Sequence, residues 1–160
     1  MSFLGAQNSI ALGVQGLIHI DTGVVGSADY LLAKSLRFRS SASAYLNRTL
    51  TTPTSSTIYT WSGWVKRGTL SATGYLFGAS TTTNFGFNSS NQLLLTLSGT
   101  AAVTTTAVYR DPAAWYHLVY VQNGATQTIY VNGVSAGTGT TANTVFNTAI
   151  AHQLAAANTT

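Results

Sequence analysis

The chain has 160 residues, no cysteine, and a charged fraction of only 6%, where a soluble domain usually carries about 25%. That length suits one domain with a sizeable core, and the absence of cysteine excludes disulfides and thiolate metal sites. The net charge of +4, from seven Lys and Arg against three Asp, is too sparse and too poor in interleaved aromatics for a nucleic-acid surface. No run of eighteen apolar residues occurs, which excludes a membrane-spanning helix.

Residues 1–34 stand apart, with Gly5, Gly13, Gly16, Gly23 and Gly26 and few aromatics. The apolar start, MSFLGAQNSIALGVQGLIHID, has neither a basic leader nor a clean small-residue cleavage site, so it reads as mature sequence. The segment is expected to be an N-terminal arm that orders on a neighbouring subunit. The alternative is a first strand of the domain's own sheet.

From Ser35 onward, short β-branched and aromatic runs alternate with Gly, Asn, Ser and Thr, and no window has helical spacing. Strands are predicted at 35–39, 43–47, 57–67, 74–80, 84–88, 91–98, 102–109, 114–122 and 126–132. The fold class is all-β, an antiparallel two-sheet sandwich. Asp111-Pro112 marks a turn before the strand at 114–122, its Asp able to cap local amides. Asn123-Gly124 and Asn132-Gly133 read as type I′ turns, which makes 114–137 a meander. In the tail from 134 to 160 only Val145, Phe146, Ile150 and Leu154 look core-directed.

Period-two alternation puts Ile58, Thr60, Ser62 and Trp64 on one face of the strand at 57–67 and Tyr59, Trp61, Gly63 and Val65 on the other. Aromatics on both faces predict a strand covered on both sides, central in its sheet or facing a partner. At 114–122, Trp115, His117, Val119 and Val121 share a face opposite Tyr116, Leu118 and Tyr120.

The chain has no Glu, and its acids are Asp21, Asp29 and Asp111. Glycoside hydrolysis generally needs two carboxylates flanking the scissile bond, and Asp111 sits alone at a turn. His19, His117 and His152 have no metal-ligand spacing, and His117 reads as structural. No nucleophile elbow is present. The chain is therefore expected to be no enzyme, with no catalytic residue, no metal site and no cofactor. Binding remains. Tyr59, Trp61, Trp64, Tyr75, Tyr109, Trp115 and Tyr120 are the aromatic candidates, weighed against a role in the core, and Arg110 and Asp111 are the polar ones. Lys34, Arg37, Arg39 and Arg48, with the pair Lys66 and Arg67, read as basic residues guarding an exposed strand edge.

The run AWYHLVYVQNGATQTIYVNGV at 114–134 resembles the Trp-x-His, Asn-Gly, Tyr-Val-Asn-Gly signature of laminin-G-like, concanavalin A-like jelly rolls. SLRFRSSASAYLNRT, YTWSGWVKRG and YRDPAAWYH are similar to the members found in virion proteins of tailed bacteriophages, marine and cyanobacterial ones above all. The resemblance covers about 35–154. It implies two packed sheets of six or seven strands, and glycan binding, protein binding or structural packing as function. The glucanase carboxylates and the calcium ligands of some relatives have no matching positions here. Such domains usually end on a strand that closes the sheet beside an early one. Residues 35–160 are expected to lack that strand, with residues 1–34 or a neighbouring chain filling the gap.

The leading expectation is thus a virion structural protein, a tail-fibre or head-decoration component. It would be assembled in the host cytoplasm, homo-oligomeric with a trimer expected first, and in contact with other virion proteins. The alternative is a carbohydrate-binding module for host surface glycan. Neither involves nucleic acid or membrane insertion.

Overall fold

Tight turns and side-chain alternation set the architecture. The computed structural model describes residues 35–141 and 145–157, and within them ten strands form two antiparallel sheets. The six-stranded sheet has the order β1 (Leu46–Thr49), β10 (Ala151–Leu154), β3 (Gly74–Ser80), β4 (Thr83–Phe87), β5 (Leu93–Leu97) and β6 (Thr100–Thr104). The four-stranded sheet has the order β2 (Ile58–Lys66), β7 (Trp115–Asn123), β8 (Thr126–Val131) and β9 (Val134–Thr140). This is a jelly-roll sandwich, and its second sheet is smaller among the described residues than the resemblance implied. The expected arm, residues 1–34, lies outside the described residues.

The meander β7–β8–β9 forms as its turn residues predict. Asn132 and Gly133 both take positive φ (51° and 81°) between the paired Val131 and Val134, the type I′ pattern. The other turn differs. Asn123 pairs with Thr126, so the loop is Gly124-Ala125, and only Gly124 has positive φ (61°). Glycine at the first central position is the type II′ pattern. Ser98-Gly99, with φ of 50° and 82°, joins β5 to β6 as a further tight turn, in a break that the sequence reading left between its strands at 91–98 and 102–109.

Other expectations are corrected. Residues 35–39 are not a strand, and a 3₁₀ turn follows at Ser40–Ala42. The strand expected at 43–47 begins later, as β1. The strand expected over 102–109 stops at Thr104 because Thr105 turns its hydroxyl inward, accepting from Leu93 N at 3.0 Å and donating to Ala107 O at 3.0 Å. The closing strand is supplied by the tail itself. β10 inserts between β1 and β3, pairing His152 with Arg48 and Gln153 with Gly78. Its four residues are too few to display alternation, and the two that bury are His152 and Gln153 rather than aliphatics. Ile150, expected in the core, is exposed. Among the described residues β2 is an edge strand with an exposed outer row, and not the central strand that its two aromatic faces suggested.

The core lies between the sheets. Phe85, Phe87, Leu93, Leu95, Leu97 and Val103 face Leu118, Tyr120 and Ile129, and Phe146 plugs one side from the loop before β10. Each such side chain contributes roughly 2 kcal/mol by leaving water. Trp61 stacks on Phe77 and meets Phe85 edge-on. Polar groups inside are paired. The Tyr120 hydroxyl donates to Gln122 Oε1, so Tyr59 donates to Tyr120 at 2.9 Å. Gln127 bonds the backbone of Thr141 through both amide atoms. Where β9 crosses β6 the sheets close to backbone contact. A Cβ at Gly139 would meet Ala102 O at 2.2 Å.

His152 is the exception to polar satisfaction. It stacks on Phe77 and Phe146. Its Nδ1 donates to Ile150 O at 2.9 Å, which leaves Nε2 as a bare acceptor, buried and unpaired among the described residues. Burial holds its pKa below the usual histidine value, against the opposing pull of the Ile150 carbonyl.

Two outcomes follow. Gly139→Ala should cost about 2–3 kcal/mol, read as a lower urea midpoint, because the added methyl meets the Ala102 backbone, which cannot swing aside as a side chain can. The folded state also resists protonating His152, so the unfolded chain binds more protons below the ordinary value of 6.5. Stability should therefore be full above that pH and decline as the pH falls below it. Thermal melts of His152→Phe from pH 7 to pH 5 should lose that component of the acid sensitivity; an unchanged slope would refute the assignment.

Candidate functional site

The outer face of the four-stranded sheet carries the candidate site. Register places Trp64 opposite His117 and Lys66 opposite Trp115 across β2 and β7. Paired residues point to the same face, so these four side chains form one patch. Trp64 and His117 are in ring contact, with centroids 5.0 Å apart and planes 32° apart. Trp64 is 55% exposed and Trp115 48%. Trp64, Trp115, His117, Asn132 and Gly133 line a shallow open groove.

The β8–β9 turn fixes one wall. Asn132 N donates to His117 O at 2.8 Å, and Asn132 Oδ1 accepts from His117 N at 2.9 Å. The side-chain amide thus extends the β7 ladder by one rung while Gly133 completes the turn. The Asn132 amino group and the His117 ring nitrogens have no hydrogen-bond partner among the described residues. The groove therefore offers two indole faces and a few polar groups able to bond a ligand.

The other candidates sort differently. Tyr59 and Trp61 are half-buried and pack inward on the core. Tyr109 is buried against Phe87 and Tyr116, and burial pushes its phenol above the ordinary value, against a lowering hydrogen bond with Thr105. Arg110 and Asp111 are exposed beside it, and Asp111 Oδ1 accepts from Ala113 N at 2.8 Å, an Asx turn that shapes the loop. The structure brings Trp64 and Trp115 together and leaves Tyr59, Trp61 and Tyr109 in the interior. His117, read from sequence as structural, and Asn132, read as a turn residue, line the same groove. The signal was present: Trp64 shares its row with Thr60 and Ser62, a polar row that marks a solvent face.

Arg67, expected on a basic edge, is instead buried. Its guanidinium donates to Asn91 Oδ1 at 2.9 Å, Tyr109 O at 2.6 Å and Thr69 O at 3.1 Å, and it lies 4.3 Å over the Phe87 ring. These partners are neutral. Burial draws its pKa below the ordinary arginine value, with Tyr116 acting in the opposite sense. Asn91, at φ 65°, also accepts from Ser71 N at 2.7 Å and receives Tyr109 N on its carbonyl. This hub anchors the 105–114 loop that leads into β7.

A comparison with family models decides the identity of this scaffold: the model described as the concanavalin A-like lectin/glucanases superfamily matches residues 38–159. The chain belongs to that superfamily. No curated protein matches it. As a laminin-G-like member, it carries the two-sheet scaffold with its own surface. Among the described residues no three His, Cys, Asp or Glu side chains cluster as metal ligands. Asp111 is the only described acid, so the described residues contain no carboxylate pair of the kind glycoside hydrolysis uses.

Arg67→Ala should cost about 2–3 kcal/mol by leaving buried carbonyl acceptors unmatched, measured as a urea midpoint. Arg110→Ala, at an exposed neighbour, should move stability by less than about 0.5 kcal/mol.

Proposed function

We propose that this is a non-catalytic carbohydrate-recognition domain whose binding face is the groove at Trp64, Trp115 and His117. One observation carries the reading: two tryptophans, each about half exposed, lie on one open sheet face. Tryptophan is highly buried on average, and leaving two indoles in water costs stability. A pyranose offers an apolar C–H face that fits an indole and hydroxyls that fit the Asn132 amide and the His117 imidazole. A few placed polar groups on an apolar floor are the usual composition of such sites. Membership of a superfamily described by its lectins and glucanases supports a saccharide as ligand.

A second reading is an assembly module of a phage virion appendage, a tail fibre or head decoration, packing on copies of itself and on other virion proteins. Its support is the low-charge surface and the exposed Ile58 and Val134, at 62% and 69%, on the two outer strands of the same sheet. The two readings combine if the appendage meets host glycan through this face.

The double variant Trp64→Ala/Trp115→Ala separates them. On the carbohydrate reading, glycan-array signal falls about ten-fold or more, corresponding to about 1.4 kcal/mol, while the fold and the mass by light scattering stay unchanged. A variant that loses its oligomeric state instead supports the assembly reading. Wild-type protein silent on a broad array would sink the first.

A further inference from the structure

We propose that the tryptophan platform selects a saccharide bearing a carboxylate, and that Lys66 reads that charge. This rests on the carbohydrate reading and narrows it to acidic sugars, the hexuronates.

The argument begins with register. Lys66 is the cross-strand partner of Trp115, and Trp64 is the partner of His117. Directly paired Cβ atoms lie about 5 Å apart, and Trp64 stands two positions before Lys66 on the same face of β2, about 7 Å along the strand, so the lysine stem rises beside one indole and within reach of the other. A sugar that stacks its C–H face on an indole keeps its ring substituents in the plane of the stack. They project sideways, over neighbouring side chains rather than into solvent. A carboxylate on the pyranose ring would then lie at the height of the Lys66 stem.

The surroundings leave that charge uncompensated. The outward positions of β2, β7, β8 and β9 contain no Asp or Glu. The one described acid, Asp111, lies in the loop before β7 with Oδ1 engaged by Ala113 N. Lys66 makes no ion pair among the described residues, and it is exposed. A lysine on an edge strand also discourages edge-to-edge pairing. That role makes no demand on which sugar binds, whereas charge reading does.

The size of the effect follows from exposure. An ion pair at a solvated surface contributes about 0.2–1 kcal/mol, a preference of up to about five-fold. It should fade at high salt, because exposed charges are screened.

The test uses the full chain on an array of hexuronate oligosaccharides printed beside their carboxyl-reduced, neutral counterparts. Wild-type protein is expected to favour the acidic member of each pair by about two- to five-fold in 50 mM salt and to lose that preference in 1 M salt. Lys66→Gln should bring the acidic-to-neutral ratio within each pair to about one, while Trp64→Ala lowers the signal of both members. Equal binding of acidic and neutral members, or a preference that survives Lys66→Gln, overturns the charge assignment and leaves the carbohydrate reading standing. No binding to either member overturns both.

Discussion

The register between β2 and β7 is the constraint on which the rest of the structure depends. Along this pair, every second residue enters the core and its neighbour faces water. A slip of one position would exchange the two sets completely. It would send Trp64 inward and Trp61 outward, and it would separate the tyrosine hydroxyls that meet at Tyr59 and Tyr120. The register is held from inside by the fit of Trp61 between Phe77 and Phe85 and by the Tyr59–Tyr120–Gln122 chain. The outer face is therefore specified by the inner one: the core decides which aromatics are left for recognition.

Electrostatics reinforces this division. A chain so poor in charge has two cations close to its central pairing, on adjacent residues, and uses them in opposite ways. Arg67 is withdrawn into a cage of carbonyl, amide and aromatic groups, where a planar fork of donors satisfies several acceptors at once. Lys66, one position earlier in the chain, stays in solvent. The end of β2 sits between these two environments, and the loop that feeds β7 is pinned to the buried one through Tyr109 and Asn91.

Much of the fold was legible because local rules carried it. Alternation at 57–67 and 114–122 and the glycines at 124 and 133 gave the meander without long-range information. The tryptophan pair was legible as residues, since Trp64 and Trp115 stood among the candidates, but their shared face appears only once β2 and β7 are paired. What stayed hidden depends on distant partners. Arg67 looked like a surface cation because its acceptors are backbone carbonyls and an asparagine far along the chain. β10 was hidden because its burial falls on His152 and Gln153, residues that propensity assigns to surfaces. Tyr109 stood among the binding candidates, at the end of a predicted strand, because nothing local announces that the chain turns inward at Thr105.

The insertion of β10 between β1 and β3 bears on how the molecule is made. Leu46 pairs with Leu154, so the edge of the six-stranded sheet joins the first and last strands of the described fold. The meander and the hairpins of β3 to β6 close over short loops and can form as the chain leaves the ribosome. Among the described strands, β1 pairs with β10 alone. Pairings of such long sequence separation are slow to form because loop closure precedes any gain from contact. Without β10, the described strands would leave β1 and one edge of β3 unpaired. Closure of this side of the sheet therefore waits, among the described strands, on the one that comes last in sequence.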